Sequence, residues 1–149
     1  MGVLRDWQKH LRKLTPKKIE RDVLKILKSE EALIVDANTE QLMRGEDSEG
    51  NVIDPPYASK HYAELKLFLN PAGVVDLNLT GAFHAKFRLV VSKGWPAYLY
   101  STDKKAPELK EKYGKDIYGV QQESLDDIVD SSILPKVQAY YQREVFTVR

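Results

Sequence analysis

The sequence predicts an α+β domain: a small antiparallel sheet built on one central hairpin and packed by N-terminal and C-terminal helices. Three observations predict it. Apolar residues recur at helical spacing before residue 45 and again after residue 124. Between these stretches, residues 87–101 form two apolar runs around Ser92-Lys93-Gly94-Trp95, the clearest hairpin signal in the chain. A length of 149 residues, 42% hydrophobic and 30% charged, suits a single domain over 1–149, with residues 1–15 readable as a helical arm.

The elements follow in order. Val3, Leu4, Trp7, Leu11 and Leu14 lie on one helical stripe. Thr15-Pro16 stops that helix and starts another, with Thr15 as cap and Pro16 in the first turn. Ile19, Val23, Ile26, Leu27 and Ile34 carry the next stripe, with Glu30 its polar break. About 28 residues is long for one globular helix, so a break near Ser29 is expected, Ser29 capping the second segment. Gly45 closes the run. Residues 46–57 read as a loop ending in Asp54-Pro55-Pro56, a stiff extended linker. Residues 58–69 read as a helix, with Ser59 as cap and Tyr62, Leu65, Leu67 and Phe68 as its apolar positions. Val74, Val75, Leu77 and Leu79 predict a short extended piece. Thr80-Gly81 breaks it before one helical turn at 82–85.

Strands are expected at 87–91, with Leu89 and Val91 on one face, and at 96–101. A short charged helix follows at 103–114. Ser124 is placed as cap of the last helix, with Asp126 and Asp127 in its first turn and a kink at Pro135.

Charge narrows the function. The whole chain carries only +1, which argues against wrapping free nucleic acid. Residues 1–30 nevertheless hold nine basic and four acidic residues, a net of +5, and residues 31–60 hold two and seven, a net of −5. Such a pair of segments can join identical subunits head to tail, or can be two solvated helix faces. The candidate interface residues are Lys9, Arg12, Lys13, Lys17, Lys18 and Arg21 on the basic side. Glu46, Asp47 and Glu49 stand on the acidic side.

No apolar run approaches the roughly 20 residues of a spanning helix, so no membrane contact is expected. Residues 1–9 lack the apolar region of a signal peptide. Without cysteine there is no disulfide, thiol nucleophile or thiolate metal site, and a reducing compartment fits. His10, His61 and His84 fall on separate elements, and nothing in their spacing asks for a metal site or a dyad. Residues 47–51 share part of a calcium loop's composition but lack its alternating acids and twelfth ligand, so a turn is expected. No phosphate-binding glycine loop, GxSxG or HExxH occurs. The chain therefore reads as a non-enzyme without cofactor. Its eight tyrosines suit either subunit interfaces or ordinary half-buried positions.

Two stretches carry a family resemblance. Val75-Asp76-Leu77-Asn78-Leu79-Thr80-Gly81-Ala82-Phe83-His84-Ala85-Lys86-Phe87 resembles the central Thr-Gly signature of tailed-phage tail-completion and virion-morphogenesis proteins, the head–tail connector or neck family. Tyr113-Gly114-Lys115-Asp116-Ile117-Tyr118-Gly119-Val120 is similar to that family's late aromatic-glycine turn before its last helix. Val120 stands where leucine is usual, and His84 and Ala85 where a basic and a polar residue are common. Residues 41–50 are similar to a helix end and loop of many phage structural proteins.

The resemblance implies a structural virion protein at the head–tail junction. It would assemble as a homo-oligomeric ring in the host cytoplasm and bind neighbouring portal, connector or tail proteins, with DNA contact at most incidental. The structural turn residues are then Thr80, Gly81 and Gly119. The alternative is a small nucleic-acid-binding protein using the basic N-terminal helices.

Overall fold

A computed structural model describes residues 2–92 and 97–146. It is a helical assembly around one hairpin, as the sequence predicts. Helix α1 (Gly2–Lys13) rests on the last helix and buries none of its residues. Thr15 caps α2 (Pro16–Ser29), its hydroxyl accepting from the Lys18 amide. The chain breaks at Glu30 before α3 (Glu31–Met43). Ser29 does not cap α3, as the sequence suggested: its hydroxyl turns back to donate to the Ile26 carbonyl. Glu30 is instead buried, accepting from Lys136 and from Ser132 at 2.6 Å. That ion pair fastens the α2–α3 joint to the C-terminal helices.

Gly45 closes α3 with φ +76. Its amide donates to Leu42 and the Glu46 amide to Gln41, the double bond of a Schellman motif. A side chain here would place Cβ 2.5 Å from Val74 Cβ, so Gly45 also allows a close crossing. Ser59 caps α4 (Lys60–Leu69) as expected, accepting from the Tyr62 amide.

The piece predicted to be extended over 74–79 forms no strand. Val75, Asp76 and Leu77 are all buried in succession. The Asp76 carboxylate accepts the Asn78 amide at 2.9 Å, and Leu77 takes φ +54, so the chain turns rather than extends. Helical turn α5 (Ala82–Ala85) leads into β1 (Phe87–Val90), which pairs antiparallel with β2 (Tyr98–Ser101), Leu89 opposite Leu99. Phe87, Leu89, Leu99 and Ser101 face inward; Tyr98 and Tyr100 face outward. Val91 lies beyond the end of β1, and Lys93, Gly94, Trp95 and Pro96 lie outside the described residues.

Helix α6 (Ala106–Tyr113) ends at Gly114, and a 3-10 turn buries Ile117. The final helical stretch starts at α7 (Gln122–Ile128), two residues before the predicted cap Ser124. Gln121 is held there because its amide donates to Gln41 Oε1. A π segment (Val129–Ile133) joins α7 to α8 (Leu134–Phe146). The irregularity predicted at Pro135 is therefore displaced one turn upstream, onto the residues whose carbonyls the proline ring would meet.

Two apolar clusters form the core. Leu42, Ile53, Phe83, Phe87 and Ile117 centre the first; Ile34, Leu89, Leu99, Ile128 and Ile133 centre the second. Helix α3 and strand β1 feed both, and Val35 and Tyr118 touch both.

Candidate functional site

The Thr80-Gly81 turn is locked from beneath. Gly81 has φ +77 and starts α5, while Thr80 Oγ1 accepts the Ala82 amide. A Cβ at Gly81 would meet only Asn78 Oδ1, at 3.8 Å, so the requirement is backbone conformation rather than space. Below the turn, Asp76 and Lys66 form a fully buried ion pair. Asp76 also accepts from Asn70 at 2.9 Å and from the Tyr57 hydroxyl at 3.3 Å. Lys66 donates further to the Asn78 carbonyl. Burial alone would push the Asp76 carboxyl up; the Lys66, Asn70 and Asn78 hydrogen bonds outweigh it and hold it below its ordinary value. Burial pushes the Tyr57 hydroxyl up, with the Asp76 charge adding to the effect. His84 is buried beside the Asp76 backbone, and burial holds its ring below its ordinary value.

The second motif stretch is clamped by α3. Buried Asn38 donates to the Ile117 carbonyl at 3.2 Å and accepts the Gly119 amide at 3.4 Å. Buried Gln41 donates to the Gly119 carbonyl at 3.1 Å. Gly119 has φ +128, and a Cβ there would stand 3.0 Å from Ser48 Cβ. This clamp presents Tyr118 to the first motif: its ring centroid lies 5.6 Å from Phe87 and 6.2 Å from Phe83. The two motifs, about 30 residues apart in sequence, thus share one aromatic cluster.

The charged candidates separate into two kinds. Lys9, Arg12, Lys13, Lys17 and Arg21 are exposed and make no ion pair among the described residues. Lys18 is engaged within the chain: it bonds Asp22 at 2.7 Å and the Tyr140 hydroxyl at 3.3 Å, tying α2 to α8. Its bond to Asp22 raises the ammonium well above its ordinary value, with Tyr140 adding to this. On the acidic side, Glu46 accepts from Gln121 at 2.9 Å and from Arg44, and Asp47 Oδ1 accepts the Glu49 and Asn51 amides. Glu49 is exposed. The basic face is thus open, while much of the acidic loop is spent on its own turn.

Sequence reading missed Lys66, Asp76, Asn38 and Gln41. For Asn38 and Gln41 a signal existed: they continue the Ile34 stripe at i+4 and i+7, so they are polar side chains aimed into the core. For Lys66 none existed, because α4 is inverted. It buries Lys66 and exposes Leu65, Leu67, Phe68 and Leu69; of the predicted apolar positions Tyr62 alone is half-buried, its ring 4.8 Å from that of Tyr57. Phe68 is 85% exposed.

No family model, curated protein or solved structure matches the chain.

Proposed function

We propose that the chain is a non-enzymatic structural virion protein of the head–tail connector or tail-completion type, working as a ring of copies against portal or tail proteins. One observation carries the reading. The Thr80-Gly81 stretch and the 113–120 stretch, on which the resemblance rests, meet in space through Phe83, Phe87 and Tyr118. Each is held rigidly from behind, by Lys66–Asp76 and by Asn38 and Gln41. Rigid loops on a helical frame suit repeated docking, since little ordering cost attaches to each contact. The half-seated helix α1 supplies an arm for such contacts. No described helix is long and apolar enough to cross a membrane.

Light scattering with electron microscopy tests this: a closed multimer is expected, and a chain that stays monomeric with and without portal rings overturns it. The open basic face favours nucleic-acid binding as a second reading. Gel retardation separates the two, with no submicromolar duplex binding expected at about 150 mM salt. A tight complex abolished by neutralising Lys9, Arg12, Lys13 and Lys17 would favour the second reading.

A further inference from the structure

We infer that the cavity beside the Thr80-Gly81 turn receives an aromatic side chain flanked by acidic residues, presented by a neighbouring protein; this rests on the docking role proposed above. The cavity holds about 530 Å³ and lies between that turn, the start of α4 and helix α6. Its lining is aromatic. Half-buried Tyr57, Tyr62 and Tyr113 line it with buried Phe83, and Tyr57 and Tyr62 stand edge to face at 4.8 Å. Buried Leu77 and half-buried Leu109 complete the apolar surface. An inserted ring would meet aromatic edges and faces, an arrangement that gains beyond plain area burial. The Thr80 cap and the Lys66–Asp76 pair hold the turn in place, so this wall is formed before a partner arrives.

The rim specifies charge. Lys104, Lys105 and Lys112 are exposed there, against exposed Glu108. Asp103, the other acid, is paired with Lys86 at 3.0 Å, so the rim keeps a net +2. Exposed Lys60 and Asp54, close in sequence to the lining residues, offset each other. Lys112 lies 4.9 Å from the Tyr113 ring centroid, which puts a cation beside the aromatic lining. Acids on either side of an inserted ring would therefore meet lysines. A nucleobase fits less well. The lining holds no Asn or Gln to read a base edge, and the Ser59 and Thr80 hydroxyls already accept the Tyr62 and Ala82 amides. A second copy of this chain also fits less well, since none of the exposed rings Trp7, Phe68, Tyr98 and Tyr100 stands between acids.

Calorimetric titration of the whole chain with the blocked peptide Glu-Asp-Trp-Asp-Glu tests the site. Saturable binding is expected, weaker at high salt. Lys105→Glu with Lys112→Glu should weaken it by at least about tenfold, and Lys112→Arg should keep it. Circular dichroism should be unchanged, because both lysines are exposed. No saturable heat from this peptide would overturn the proposal. So would equal binding of Glu-Asp-Ala-Asp-Glu or of Lys-Lys-Trp-Lys-Lys, or tighter binding of adenosine monophosphate. A chain that assembles on portal rings but binds no peptide, and whose double variant assembles equally well, would overturn this site and leave the ring reading standing. Peptide binding by a chain monomeric with and without portal rings would support the site and overturn the ring reading.

Discussion

At the scale of single residues, the most consequential decision is the placement of Lys66. An ammonium excluded from water needs a counter-charge and acceptors within reach, and the Asp76 carboxylate and the Asn78 carbonyl provide them. Lys66→Met leaves the Asp76 carboxylate buried without its counter-charge. It should destabilise the fold by about 3–5 kcal/mol, read as a lowered denaturant midpoint with unchanged slope. Equal stability of the variant would show that the pair is not what holds the turn. His84 makes a second residue-scale prediction. Its ring is held below the ordinary value of 6.5 by burial, so the unfolded chain takes up a proton before the folded one does. Stability should therefore be intact above pH 6.5 and fall as pH drops from there through the depressed folded value. His84→Gln should flatten that part of the profile; an identical slope in parent and variant would assign the loss to another group. Neither residue's role was legible in the sequence. A lysine between leucines in a helix reads as solvated, and only the tertiary inversion of α4 makes it a core residue.

At the scale of elements, local chemistry was legible wherever it was self-contained. Thr15, Ser59 and Gly45 cap or close their helices through bonds within six residues, and all three were predicted. Ser29 and Ser124 failed as caps because distant partners, Lys136 on Glu30 and Gln41 on Gln121, fixed the helix starts instead. The 74–79 stretch forms no strand for a related reason: Val74, Val75, Leu77 and Leu79 predicted an extended piece, but the Asp76 carboxylate, committed to Lys66, accepts the Asn78 amide and turns the chain. The turn at Gly81 was legible, and its test belongs here. Gly81→Val forces a β-branched residue to φ near +77 with ample room for the side chain. A loss of about 1–3 kcal/mol is expected from backbone strain alone. Calorimetry showing the same melting temperature would mean that the turn relaxes to another conformation.

At the scale of the whole molecule, the charge asymmetry is only partly available to a partner. Lys18 and Glu46 are used internally, which leaves Lys17, Arg21 and Lys25 as the part of α2's basic face that reversal can probe without touching the fold. Lys17→Glu with Arg21→Glu should weaken multimer formation and flatten its dependence on salt, as followed by sedimentation at several ionic strengths. Assembly that keeps the parent's strength and salt response would remove the basic face from the interface.

The sheet sets one more condition on any assembly. Leu89 on the outer side of β1 has its amide bonded to Glu31 and its carbonyl to Lys28, so two helical side chains stand where a third strand would pair. A neighbour cannot graft a strand onto β1 at Leu89 without first evicting the Lys28 and Glu31 side chains of α2 and α3. Growth from the β1 edge by templated strand addition, the route to cross-β fibrils, is therefore obstructed by the native fold itself.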